Sequence, residues 1–161
     1  MSKISHDYDK LDIDILQLLR REPRAGVREY ARRLGIARGT VQARLDKMVA
    51  KHVIDSYAPS INPAALGFDL AADVHLKLKQ QQLDAAVAHL EKIPFILYAD
   101  STAGAEDLTC RVVATDLQHL ERITIAMMSV PGVERVRTDI ILRSRIAPRL
   151  SPLLDYLRAA R

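Results

Sequence analysis

The chain has no tryptophan, a single cysteine and few aromatic residues, 4% of its 161 positions. With so little aromatic volume, any core has to be built from Leu, Ile, Val and Ala. One thiol, Cys110, excludes an intrachain disulfide and any zinc site made of several thiolates. Cys110 falls on the inward side of an alternating apolar pattern, so it is expected to be a buried, inert thiol. No apolar run approaches the ~20 residues that a membrane span needs. The stretch Met1–Asp7 has no apolar signal core. A cytoplasmic, nucleoid-associated protein with no membrane partner is expected. The histidines, His6, His52, His75, His89 and His119, show no pairing at metal-ligand spacing, and neither a metal nor a cofactor is expected.

What is present is a globular composition, 48% hydrophobic and 27% charged, with an uneven distribution of charge. The net charge is +4. Residues 20–51 hold ten Lys and Arg against three Asp and Glu, whereas residues 63–161 are balanced at twelve of each. A basic field confined to one short stretch attracts a polyanion, or is merely a solvated face; charge alone does not decide.

Hydrophobic spacing divides the chain. Leu11, Ile15, Leu18 and Leu19 make one apolar stripe and predict a helix over 9–21, with Asp9, Asp12 and Asp14 at its positive end. Val27, Tyr30, Ala31 and Leu34 predict a short helix over 27–34, followed by Gly35 as its stop. Val41, Leu45, Met48 and Val49 predict a third over 38–51. Residues 53–57 read as a short strand, and Pro59 and Pro63 mark an extended linker. Beyond it the pattern repeats. Alternation at 71–78, helical spacing at 83–92 and a strand pattern at 95–102 are followed by a strand at 107–115, a helix at 117–129 resting on Leu117, Leu120, Ile123 and Met127, and a strand at 133–142. Strand–helix–strand twice over predicts a ferredoxin-like βαββαβ domain. One sheet face would be left uncovered, and Val113, Val133 and Ile141 suggest that it is partly apolar and suited to pairing. Residues 148–161 carry the spacing of a short amphipathic tail helix. The expected class is α+β: a helix-turn-helix domain over 1–55, a strand and hinge over 56–69, the ferredoxin-like domain over 70–146 and a tail over 147–161.

The pair of helices around Gly35 carries the functional signal. A tight turn between a short and a longer helix sets the second for the DNA major groove. If the apolar stripe of the third helix points inward, Gly39, Thr40, Ala43 and Lys47 point outward, flanked by Gln42 and Arg44. Gln42 and Arg44 have the bidentate chemistry to read adenine and guanine, and Thr40 suits a thymine methyl or a phosphate. Arg28, Arg38, Lys47 and Lys51 would neutralise phosphates. Asp46 is discordant on such a face.

These segments resemble the Lrp/AsnC, or feast-famine, family of transcriptional regulators over about residues 9–145. The carriers are Asp9-x-x-Asp12-x-x-Ile15-Leu16-x-x-Leu19, the helix-turn-helix VREYARRLGIARGTVQARLDKM with a characteristic arginine at Arg44, the hinge VIDSYAPSINPAALG, the loop TAGAEDLTCRVVATD and the turn VPGVERVRT. The resemblance implies a winged or strand-flanked helix-turn-helix, sheets paired into dimers that often gather into octamers, and an amino-acid effector held near residues 102–107, with Thr102, Gly104, Glu106 and Asp107 as site residues. Two positions depart from the pattern. Ala105 replaces an aspartate of the loop, and Ala37 replaces a serine at the start of the recognition helix, where a lost cap costs ~1 kcal/mol. Two other readings stand beside the effector-responsive regulator: an architectural DNA-coating protein without an effector, and an enzyme on the same layout, for which only His75 among the strand histidines is available.

Overall fold

The computed structural model describes residues 7–160. His6 and most of the stretch Met1–Asp7 lie outside the described residues. The chain divides into two compact units: one holds the residues up to Pro59 together with Ile146 onward, the other is Ser60–Arg145.

The first unit is built on three helices, α1 (Lys10–Arg21), α2 (Gly26–Leu34) and α3 (Arg38–Ala50). A reciprocal cap starts α1: the Asp9 side chain accepts from the Asp12 N–H and the Asp12 side chain accepts from the Asp9 N–H. Each carboxylate satisfies a helix-end donor that would otherwise be unpaired. Gly35 ends α2 in the left-handed region at φ +66°, and the Ile36 N–H returns to the Ala31 carbonyl. The chain then enters α3 through Ala37, whose side chain offers no cap. Ile15, Tyr30, Ala31, Val41, Leu45 and Met48 meet as the core of this unit.

Two expectations fail here. Val49, read as inward, is 41% exposed, because the stripe that meets α1 and α2 runs through Val41, Leu45 and Met48 instead. Residues 53–57 form no strand: the Val53 and Ile54 N–H groups both fold back onto the Met48 carbonyl, and these residues pair with no strand among the described residues. The tail helix is present as α6 (Ser151–Ala159) and packs on α1. Its Leu154 is buried, Asp155 accepts from Gln17, and Arg158 is paired with Asp14.

The second unit runs β1 (Leu70–Leu78), α4 (Leu83–Leu90), β2 (Ile96–Ser101), β3 (Leu108–Ala114), α5 (Leu117–Met128) and β4 (Val133–Ile140). Its sheet order is β2-β3-β1-β4, with all three pairings antiparallel. That is the βαββαβ arrangement read from the sequence. Ala72, Val74, Leu76 and Leu78 of β1 and Leu108, Cys110, Val112 and Ala114 of β3 form one buried face with Leu90, Leu120, Ile123 and Met127 of the helices. Leu117 was expected in this set but is 62% exposed; it opens α5 at a point where the helix has not yet reached the sheet.

The uncovered sheet face differs from its expectation. Val133 packs into the helix-side core, because a register shift at Lys77/Leu78 brings it opposite Leu78 on that face. Val113 lies opposite Ala71, and the Ile141 N–H bonds the Ala71 carbonyl, so the apolar part is confined to one end. The remainder is a lattice of charge. Asp73 pairs with Arg111, His75 contacts both Thr109 and Asp139, and Arg137 reaches Asp139.

Gly132 sits between α5 and β4 at φ +94°, where an added Cβ would stand 2.8 Å from the Cβ of Gln82. Gly132→Ala combines left-handed strain with that collision. It is expected to lower stability by about 1–3 kcal/mol, read as an earlier midpoint in urea denaturation with an unchanged slope.

Candidate nucleic-acid interface and ligand loop

The outer surface of α3 begins with Arg38, Gly39 and Thr40, and all three are exposed. Gln42, Ala43, Asp46 and Lys47 continue that surface and are exposed as well. Two small residues, Gly39 and Ala43, lie on the face that was read as outward, so nothing bulky would hold the backbone away from an approaching duplex. Arg38, and Arg28 on α2, have no carboxylate partner among the described residues. Gln42 donates to Asp46 one turn on, at 2.7 Å, which gives the discordant carboxylate a partner within the helix.

Arg44 is placed differently from its neighbours. Its guanidinium donates to Asp9 and to Asp12, all at 2.8 Å, and the Asp12 side chain is only 4% exposed. The two carboxylates that cap α1 are thus the ones that hold α3. Burial pushes the Asp9 carboxyl up, but the Arg44 hydrogen bond, the Asp12 and Leu11 N–H groups and the Arg44 charge outweigh it and hold it below its ordinary value. The hydrogen bonds that Arg44 donates to Asp12 and Asp9 hold its proton more firmly than usual. Spacing had pointed to Asp9 and Asp12 as helix-dipole partners; their role as the seat of Arg44 joins residues 32 and 35 positions apart and had no local signal. Beside them, Lys47 reaches the Asp7 carbonyl at 3.4 Å and lies 5.9 Å from the Tyr8 ring centre, and Lys51 pairs with Asp7. Asp7, Asp9, Asp12, Arg44 and Lys47, with Gly39, Thr40 and Ala43, line a cleft of about 640 Å³ along the outer side of α3.

In the second unit, residues 102–107 join β2 to β3. The Thr102 N–H bonds the Asp107 carbonyl, and its hydroxyl donates to the Glu106 carbonyl, closing the loop on itself. Both Asp107 carboxylate oxygens are engaged, one by Lys77 and the other by the Leu78 N–H, and these bonds, the backbone one foremost, hold its pKa below the usual range. The Glu106 carboxylate is largely covered and faces Arg135 and Arg137. Gly104 is exposed with open space where a Cβ would stand, and Ala105 beside it is exposed. Cys110 is fully buried, and burial pushes its thiol up to about 11, so it is not a nucleophile at neutral pH. No group of three or more His, Cys, Asp or Glu among the described residues could hold a metal ion, and no described helix is long and apolar enough to cross a membrane.

A helix-turn-helix with an exposed basic reading helix, carried on the same chain as a four-stranded α+β unit, defines a DNA-binding regulator class. Comparison with known proteins gives the family. Residues 8–55 match the winged helix-turn-helix DNA-binding model, and residues 71–150 match the Lrp/AsnC ligand-binding domain. An uncharacterized HTH-type transcriptional regulator of Pyrococcus horikoshii is 30% identical over 84% of this chain and 86% of its own length. An HTH-type transcriptional regulator of Methanocaldococcus jannaschii is 28% identical over 84% of this chain and 93% of its own. Among solved structures, Escherichia coli AsnC superposes with a TM-score of 0.83, covering 90% of this chain and 99% of that one at 24% identity, which speaks to the fold. A feast or famine regulatory protein of Mycobacterium tuberculosis, in complex with L-methionine, superposes with a TM-score of 0.79 at 31% identity, covering 88% and 96%. The chain belongs to the Lrp/AsnC family of transcriptional regulators.

Arg44→Ala leaves the covered Asp12 carboxylate without its counter-ion. It is expected to cost about 3 kcal/mol at neutral pH, seen as a lowered Tm. A group whose folded pKa is depressed, as Asp9's is, contributes stability above its unfolded value of about 4, and that contribution is lost as pH falls through the folded pKa. The Tm difference between wild type and Arg44→Ala is therefore expected to narrow as pH is taken below that range.

Proposed function

We propose that this regulator binds a pseudo-palindromic DNA site through α3 and changes its occupancy when an amino acid binds near residues 102–107. The exposed run Arg38-Gly39-Thr40 with Gln42, Ala43 and Lys47 on one helix supports the first half most directly. In this reading Gln42 reads a base edge after letting go of Asp46, Thr40 meets a methyl or a phosphate, and Arg28, Arg38, Lys47 and Lys51 contact phosphates. Arg44 acts chiefly by fixing how α3 stands on α1, with its outer edge free for a further contact. The protein works as a homodimer, capable of gathering into octamers, in the cytoplasm and on the nucleoid. It is a regulator and not an enzyme, with no cofactor. Half-sites lie about one helical turn, ~34 Å, apart or a multiple of it.

Selection of sites from random duplex DNA near physiological salt, with excess competitor, tests this half. Recovery of a pseudo-palindrome supports it. Recovery of only AT-rich or unrelated DNA favours an architectural role instead. With the selected site, Arg38→Ala is expected to weaken binding to all sequences and to reduce the salt slope by about 1. Gln42→Ala is expected to relax preference at one base position by about 1–3 kcal/mol.

The effector half draws on the L-methionine complex of the M. tuberculosis relative and on the ligand-binding domain match. In this chain Asp107 already serves Lys77 and Leu78, so the ammonium group of a bound amino acid falls to Glu106 and to the loop carbonyls. Thr102 and Gly104 shape the loop. Restoring a carboxylate with Ala105→Asp is expected to tighten amino-acid binding by about tenfold, measured by calorimetry. If no standard amino acid binds to either protein or alters DNA affinity, the effector half is wrong while the DNA half stands.

A further inference from the structure

A second cavity lies within the first unit, away from the outer face of α3. It has a volume of about 660 Å³ and is walled by α1, by residues 53–58 and by α6. The walls are mainly apolar, with Ile13, Leu16 and Leu19 on one side and Leu153, Leu154 and Leu157 on the other. A concave, mainly apolar volume of this size, with few polar groups, is what small-molecule sites look like. Arg20 stands among the lining residues, is exposed, and has no carboxylate partner among the described residues. Arg158 and Arg44, the other arginines that meet α1, are each held by a carboxylate. Asp55 also lines the cavity, so its rim carries one charge of each sign. The wall formed by α6 begins at Ser151, just beyond the residues matched by the Lrp/AsnC ligand-binding model, so that match does not account for this cavity.

We propose that this cavity is a binding site for an aliphatic carboxylate, distinct from the loop at residues 102–107, with the hydrocarbon chain between α1 and α6 and the carboxylate on Arg20. Arg20 gives the head group its sign: a guanidinium forms paired, charge-assisted hydrogen bonds with a carboxylate, and it would repel an amine. Because α1 also seats Arg44, occupancy of the cavity bears on the helix that holds α3 in place.

The test uses the full chain with decanoate as the probe, kept below its micelle concentration, with decylamine and decanol as controls. Calorimetry and the shift in Tm are read for octanoate, decanoate and dodecanoate. Binding is expected to tighten about three- to fourfold per methylene, to weaken at least tenfold in Arg20→Gln, and to exceed that of decylamine. Two substitutions at exposed positions separate binding from folding. Ala58→Trp fills the cavity and Leu153→Glu places a like charge in it; both are expected to abolish decanoate binding with little change in the ligand-free Tm. Four results would overturn the proposal: no heat and no Tm shift with any of the three acids; binding unchanged in both cavity variants; equal binding of decylamine, which would assign the head group to Asp55; or a drop in oligomer mass caused by Ala58→Trp without ligand, which would make the cavity a contact with a second copy.

Discussion

A guanidinium on α3 rests on two carboxylates at the start of α1, and the placement of the reading helix depends on that contact. Helices α1 and α3 otherwise meet through a modest set of aliphatic side chains, Ile15 against Val41, Leu45 and Met48. Apolar packing of this kind is non-directional and leaves rotation about the helix axis loosely set. A charge-assisted hydrogen bond to a covered carboxylate is directional, and Asp12 can be covered only because Arg44 is there to neutralise it. The same two carboxylates close the cap of α1. Helix start, helix packing and the orientation of the recognition surface therefore share one cluster of atoms, and a change to any member is felt by the others.

The charge economy of the DNA-facing unit follows. Counted along the sequence, residues 20–51 carry a large basic excess. In space, part of that excess is paired with carboxylates of the same unit: Arg44 with Asp9 and Asp12, Lys51 with Asp7, and Arg32 and Arg33 with Glu29. The Glu29 carboxyl is pulled down to about 2 by the Arg32 and Arg33 hydrogen bonds. The cations left without a carboxylate partner among the described residues are fewer than the count suggests; they include Arg20 and Arg21 at the end of α1, Arg24 just after it, Arg28 on α2 and Arg38 at the start of α3. A field from a few unpaired arginines still steers a duplex, but its reach is shorter than a net-charge argument implies.

What the sequence makes legible is periodicity. The βαββαβ order, the strand faces through Ala72, Val74, Leu76 and Leu78, and the turn at Gly35 all follow from spacing of two, of three to four, or from a single residue type. What it hides is any partnership between residues far apart. Arg44 looked like a reader because its helix position allowed it; that Asp9 and Asp12 lie within reach is a tertiary fact. Val133 looked like part of the uncovered face because a strict alternation would put it there; one register shift at Lys77/Leu78 moves it to the other side. The strand expected at 53–57 has the right composition, but a strand needs a neighbour, and composition does not supply one. For the ligand loop, the resemblance set Glu106 and Asp107 together as effector residues, whereas the fold engages both Asp107 oxygens in holding the end of β1.

The uncovered sheet face shows the same difference between composition and placement. A row of Asp, His, Lys and Arg on a sheet surface would ordinarily be read as solvated. Here the polar groups are matched on the face itself, Asp73 with Arg111 across strands and Asp139 with Arg137 and the His75 ring, and the Arg111 side chain also lies 5.7 Å from the Tyr98 ring centre. Cross-strand pairing of opposite charges stabilises the sheet modestly, and it also leaves little net field on the face. A surface that has already satisfied its own charges can be covered by another surface without stranding an ion, which is the main obstacle to burying polar groups. The apolar end at Ala71, Val113 and Ile141 supplies area whose burial is favourable. Self-paired charge over most of the face and hydrocarbon at one end together suit it to being covered by another surface, and neither property can be read from residue counts alone.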